Sequence, residues 1–172
     1  MLKESLKMYL DKYFDFWIKE RGSYPMVPFD SEEESTLYFG EVDKEEYVQW
    51  KYKEIEQKID FDALEKKYGV ELPLEMKEYY NSYYFLQLEG FINGKHISMT
   101  PIEESTDIIG MLEYCLSEET GMIAIGTYGE MDLQLSIEVE TGTIIAYDYE
   151  WESKSLIADS LTTLFKQMSP KR

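Results

Sequence analysis

Large apolar side chains recur at intervals of three and four between Leu2 and Glu20, at Leu2, Leu6, Leu10, Tyr13, Phe14 and Trp17. This is the period of an amphipathic helix, and Gly22 and Pro25 end it. Tyr24 to Val42 mixes Pro25, Pro28 and Gly40 with the run Glu32-Glu33-Glu34, which reads as a surface connection holding one short strand at Leu37-Tyr38-Phe39. From Lys44 to Lys58, Tyr47, Trp50 or Lys51, and Ile55 or Glu54 fall near one side, so a second helix is predicted. Asp60 is placed to accept amides of a third helix, which turns Leu64 and Tyr68 inward and closes at Gly69. Pro73 opens a fourth, with Met76, Tyr79, Tyr80, Tyr83 and Tyr84 as a core-packing stripe.

After Phe85 the period moves towards two. Gly90 and Asn93-Gly94 read as turns, with Phe91, Ile92, Ile97 and Met99 as strand residues. A short helix is predicted from Thr106 to Leu116, strands at Met122 to Gly126, Asp132 to Val139 and Thr143 to Trp151, and a last helix from about Ala158 to Met168. Helices come first, then mostly strands, then one helix. That segregation predicts an α+β fold with a mostly antiparallel sheet, because parallel crossover units would alternate helix with strand.

One hairpin decides which surface faces solvent. Leu133, Leu135, Ile137 and Val139 alternate with polar and acidic residues, and Ile145, Tyr147, Tyr149 and Trp151 do the same on the next strand. A three-residue loop, Glu140-Thr141-Gly142, opposes Ile137 to Ile145 and Leu135 to Tyr147 and so aligns the two apolar rows. The outer face then carries Asp132, Glu138, Asp148 and Glu150, continuing into Glu130 and Glu152 at the strand ends. Like charges directly opposite one another cost up to about 1 kcal/mol. A partner that relieves this repulsion is the preferred reading over a merely solvated face.

The charge arithmetic sharpens that expectation. The chain of 172 residues carries 35 acidic and 17 basic side chains, a net charge of −18. Between His96 and Ser153 stand 13 acidic residues and no Lys or Arg. Such a field repels nucleic-acid phosphates and anionic lipid and attracts a basic protein partner. With 15 Tyr, 8 Phe and 3 Trp the chain is not a disordered acidic tail, and a chain of this length can bury roughly 70% of its unfolded surface in one core. The charged start Met1 to Lys7 and the lack of a long apolar run predict a soluble, cytoplasmic protein without lipid insertion.

Candidate chemistry is sparse. One cysteine, Cys115, and one histidine, His96, leave too few ligands for a tetrahedral zinc site and no intrachain disulfide. His96 would have to serve any Ser-His-Asp or Cys-His arrangement alone, and it reads as structural, as Cys115 reads as packing. Gly121, Gly126 and Gly129 have neither dinucleotide nor P-loop spacing and read as strand punctuation. No catalytic residue, metal or cofactor is assigned. A carboxylate-based hydrolase is the rival class, and a deep pocket of converging carboxylates would mark it.

Leu64-Glu65-Lys66-Lys67-Tyr68-Gly69-Val70-Glu71-Leu72-Pro73, then Ile123-Ala124-Ile125-Gly126, Gly129, Leu133 and Thr141-Gly142-Thr143-Ile144 resemble the SUKH superfamily of non-enzymatic α+β protein-binding modules. With the N-terminal helix bearing Leu6, Tyr13, Trp17 and Pro25, and the ending Leu156 to Phe165, the chain is most similar to the Syd family of SecY-interacting proteins. The resemblance implies one domain over 1–172, with an N-terminal helix in 1–25, helices in 44–88, a sheet region in 89–153 and a C-terminal helix in 156–168. It implies an acidic concave surface that meets the basic cytoplasmic loops of the SecY translocon channel, and a peripheral place at the cytoplasmic membrane face through that partner. For many other members it implies an immunity protein that neutralises a basic toxin, often a nuclease, by blocking it.

Overall fold

The structure, a computed structural model, describes residues 1–32 and 34–172, so Glu33 of the glutamate run lies outside the described residues. The chain opens with α1 (Leu2–Arg21), whose buried face is Leu2, Leu6, Tyr9, Leu10, Tyr13 and Phe14. Gly22 ends it in the left-handed conformation, donating its amide to the Ile18 carbonyl at 2.9 Å. β1 (Met26–Pro28), β2 (Tyr38–Phe39) and β3 (Tyr47–Trp50) form a small sheet in the order β1-β3-β2. β4 (Lys53–Glu54) pairs with β5 (Tyr83–Tyr84), and between them lie α2 (Asp62–Tyr68) and α3 (Leu74–Tyr79).

The principal sheet is an antiparallel meander of six strands, β6 (Leu88–Ile92), β7 (Lys95–Met99), β8 (Met122–Tyr128), β9 (Leu133–Glu138), β10 (Ile144–Asp148) and β11 (Ser153–Ala158). α4 (Ile108–Ser117) is inserted between β7 and β8, and α5 (Leu161–Gln167) follows β11. The α+β class, with helix first, antiparallel strands and a final helix, is as the segregated sequence pattern predicts.

Register divides the sheet into two unlike faces. Ile144, Ile137 and Ile123 stand side by side, as do Ala146, Leu135, Gly126, Met99 and Leu88. The large apolar members of these rows join one core with Tyr9, Tyr79, Leu161, Leu164 and Phe165 of the helices. Each fully buried Ile or Leu there contributes about 1.5–3 kcal/mol. The opposite face carries Leu156, Ile145, Ser136 and Ala124 in one row and Lys154, Tyr147, Gln134, Thr127 and Ser98 in the next. Two glycines are required by close approach. A Cβ on Gly90 would lie 2.1 Å from the Tyr9 hydroxyl, and one on Gly126, beside the β8 bulge, 2.1 Å from the Ser98 carbonyl.

Several expectations are corrected. Lys44 to Lys58 is not a helix: Val48 and Trp50 are buried while Tyr47 is exposed, a period of two, and the backbone bonds to Pro25 and Leu37 instead. The helix opened by Pro73 ends at Tyr79, because the Asn81 side chain binds the Ile59 backbone and draws Tyr83 and Tyr84 into strand pairing with β4. Gly90 lies within a strand, where it makes room for Tyr9, and only Asn93-Gly94 forms the turn. β11 occupies chain given to a loop and the start of the last helix, which begins at Leu161 behind the N-cap Ser160.

The hairpin register is also corrected. The loop between β9 and β10 has four residues, Val139 to Gly142, closed by Glu138 donating its amide to the Thr143 carbonyl at 2.9 Å. Ile137 therefore opposes Ile144, and Ser136 opposes Ile145. A one-residue slip turns every side chain over. Glu138 thus shares its face with Ile145, and Tyr147 and Tyr149 stand on the face away from the helices.

Candidate functional site

The three hairpins of β8 to β11 use one loop design, four residues whose last is left-handed. These loops are Gly129 to Asp132, Val139 to Gly142 and Tyr149 to Glu152, with φ of 47° at Asp132, 74° at Gly142 and 46° at Glu152. Because the strands alternate in direction, the first and third loops leave one end of the sheet and the second leaves the other. Gln134 ties the two neighbouring loops together: its backbone pairs with Tyr147, and its Oε1 accepts the Tyr149 hydroxyl at 2.8 Å.

That end gathers five of the six acidic residues picked out from the sequence: Glu130, Asp132, Asp148, Glu150 and Glu152. They do not share an outer face, because they sit in or beside loops. Asp148 lies on the register row of the helix side, and its Oδ1 accepts the amides of Glu150 at 2.9 Å and Trp151 at 3.2 Å. It shapes the loop. Glu130 lies 3.9 Å from the Arg172 guanidinium, a loose and exposed pair. Asp132, Glu150 and Glu152 are exposed and have no ion pair among the described residues.

Glu138 is separate. It stands five residues up the strand direction from the Asp148 end, about 17 Å away at the usual rise. Its carboxylate accepts Lys154 Nζ at 2.8 Å and the Thr143 hydroxyl at 2.8 Å, and the Lys154 ammonium first, then Thr143, hold its carboxyl below the ordinary range. Glu138 also borders an open cleft of about 870 Å³ between the β9–β10 loop, the α2–α3 link and the start of α5. The cleft brings in Glu71, Glu75, Glu140 and Asp159. Glu75 is committed to α5, taking the Thr162 amide at 3.0 Å and its hydroxyl at 2.5 Å, so with Glu138 two of the five carboxylates lining the cleft serve structure.

Other carboxylates of the acid-rich half find cations from elsewhere in the chain: Glu104 pairs with Lys53 and Glu113 with Lys67, each at 2.7 Å. A one-sign stretch of sequence is thus not a one-sign surface, and the two loops are one of the places where, among the described residues, carboxylates stand without a cation. His96 lies 3.7 Å from Glu89 and packs edge-on against Phe91, and Cys115 is half-buried against the core. Among the described residues no group of three or more His, Cys, Asp and Glu is placed to hold a metal, and no helix is long and apolar enough to cross a membrane.

Sequence reasoning missed the apolar members of this end. Trp151 is 73% exposed, Tyr149 64%, Met131 71%, and Leu156 on the adjoining sheet face 64%. In an alternating pattern they look like core. Their signal was position, since Met131 and Trp151 fall inside loops whose neighbours are Glu130, Asp132, Glu150 and Glu152. Large aromatics left in water and ringed by charge have the composition of an interface centre with a polar rim.

No curated protein matches the chain. A family model does, described as Syd protein (SUKH-2) and spanning residues 3–170. Membership carries a protein-binding role in general terms, of the SecY-interacting or immunity kind. With a match over nearly its whole length, the chain belongs to the Syd protein (SUKH-2) family.

Proposed function

We propose that the chain is a non-catalytic protein-binding module that docks its loop end on a basic protein surface, the cytoplasmic loops of the SecY translocon channel. The protein then sits at the cytoplasmic membrane face through its partner, without entering lipid. The observation that carries the reading is the pairing of exposed Met131, Tyr149 and Trp151 with Asp132, Glu150 and Glu152, carboxylates that have no cation of their own among the described residues. Exposed ion pairs are worth about 1 kcal/mol or less, whereas a desolvated interface aromatic is worth about 2 kcal/mol or more. The aromatics accordingly supply affinity and the carboxylates supply steering and partner choice.

The test is binding to purified SecY channel in nanodiscs across a salt series. Changing Asp132, Glu150 and Glu152 together to Lys is expected to weaken binding at least about tenfold, with Glu41→Lys plus Glu45→Lys as the control at a distant loop. Binding should also weaken as salt shortens the reach of charge below about 8 Å. Equal losses from both variants, or affinity indifferent to salt, would overturn the reading. If the channel is ignored and a basic nuclease toxin is bound and blocked, the immunity role replaces it.

A further inference from the structure

The two edges of the six-stranded sheet end differently. On the β6 side the chain closes its own edge: Phe91 and Ser169 exchange backbone hydrogen bonds of 2.8 and 3.0 Å, and the Tyr9 hydroxyl donates to the Glu89 carbonyl at 2.5 Å. On the far side β11 pairs only with β10, and Ser153, Lys154, Ser155 and Leu156 are all exposed. In an antiparallel ladder alternate residues turn N–H and C=O away from the neighbour, so this edge offers unpaired donors and acceptors to solvent.

Edges of this kind are usually guarded by a charge, a proline or an interruption. β11 has no proline, its one charge, Lys154, is turned onto the Glu138 carboxylate at 2.8 Å, and its one interruption, a register shift at Ile157, leaves Ser153 to Leu156 in regular pairing. The guard is spent within the molecule. Carboxylates stand at both ends of the strand instead, with Glu150 and Glu152 before it and Asp159 after it. A second copy is a poor occupant. Antiparallel pairing of β11 with β11 would set Glu152 beside Asp159 twice, between chains that each carry a net charge of −18.

We infer that β11 is a strand-addition site that takes an extended segment of the basic partner, with Lys or Arg at the segment's ends and an apolar side chain beside Leu156. The identity of that partner class rests on the docking reading above; the open edge does not. Main-chain hydrogen bonds to the outward groups of β11 supply affinity for any extended chain, and the flanking carboxylates select a cationic one. The aromatic loop Tyr149 to Glu152 leads directly into β11, so the two surfaces form one continuous docking region.

The test uses the isotope-labelled protein and synthetic peptides of alternating Thr and Val, flanked by Lys, flanked by Glu, or flanked by Lys with a central Val→Pro. The Lys-flanked peptide is expected to slow exchange of alternate amides within Ser153 to Leu156 about tenfold and to bind about tenfold more tightly at low salt than the Glu-flanked one, while the Pro peptide protects none. Leu156→Lys, at an exposed position, should weaken the same peptide. The inference is overturned if the Lys-flanked peptide slows no β11 amide, if the Glu-flanked peptide protects equally, or if the free protein is a dimer with those amides already protected. Because the peptides stand for no particular protein, failure to bind the SecY channel alongside normal peptide protection would sink the docking reading alone.

Discussion

Tyr149 reaches from one hairpin loop to the strand of the next, its hydroxyl 2.8 Å from Gln134 Oε1 and its ring edge-on to Tyr147 with centroids 4.7 Å apart. An exposed aromatic held in this way loses little freedom on binding. Tyr149→Phe removes one exposed hydrogen bond, worth about 1 kcal/mol at most, and should change stability little. Trp151→Ala should leave thermal stability unchanged and lower affinity for the SecY channel by about 2 kcal/mol, about thirtyfold, read by calorimetric titration. A thirtyfold loss accompanied by unfolding would mean that Trp151 packs inward.

Glu152 holds φ at 46°, where a side chain is strained and glycine is not. Glu152→Gly is expected to raise stability by about 1 kcal/mol in urea unfolding, while weakening binding to a basic surface. Opposite signs for the two measurements are the signature of a charge kept for its partner. A loss of stability would show that the Glu152 side chain makes contacts that outweigh the strain.

Tyr79 is buried, and its hydroxyl has no hydrogen-bond partner among the described residues. Burial drives that phenol far above its ordinary titration range, so it stays neutral. Tyr79→Phe removes an unsatisfied polar atom and keeps the ring that stacks on Phe165. Stability should rise by about 1 kcal/mol, measured by thermal or urea melts.

Glu65 receives the Lys77 ammonium at 2.9 Å and the Leu72 amide at 2.7 Å, and these two, Lys77 first, hold its carboxyl below the ordinary 4.5. A carboxyl lowered in the folded state contributes stability above its unfolded value and loses it as pH falls through the folded one. Glu65→Gln should therefore cost about 1–3 kcal/mol at neutral pH, and the gap to the unaltered protein should close below pH 4.5. A gap that persisted in acid would point to shape rather than charge.

Helices that bury a stripe against other helices were legible because their period is local: α1 declares itself through Leu2, Leu6, Leu10 and Phe14, and its end through Gly22. Val48 and Trp50 also carried a local signal, alternation, but three apolar residues spread over Lys44 to Lys58 fit a loose helical stripe nearly as well. Gly90 was opaque for another reason. Its need for space comes from Tyr9, 81 positions earlier, and nothing nearby in sequence reports that contact. The hairpin register failed on a single loop residue, Val139, whose apolar side chain suggested strand. Five of the six acidic candidates still met, since strand order brings alternate turns to one end whatever the register. Glu138 did not, because it belongs to the opposite turn, and its partner Lys154 lies one residue beyond the lysine-free stretch.

The tail that Ser169 pins along β6 has a bearing on assembly. Growth of strands head to tail needs two sticky sides on every subunit, one to receive and one to be received. With Phe91 already bonded at 2.8 and 3.0 Å, the six-stranded sheet keeps, among the described residues, one receptive edge. Any strand laid on β11 is therefore a terminal event: it yields a complex of fixed size, and a chain this rich in β-structure is spared the open-ended stacking that leads to fibres.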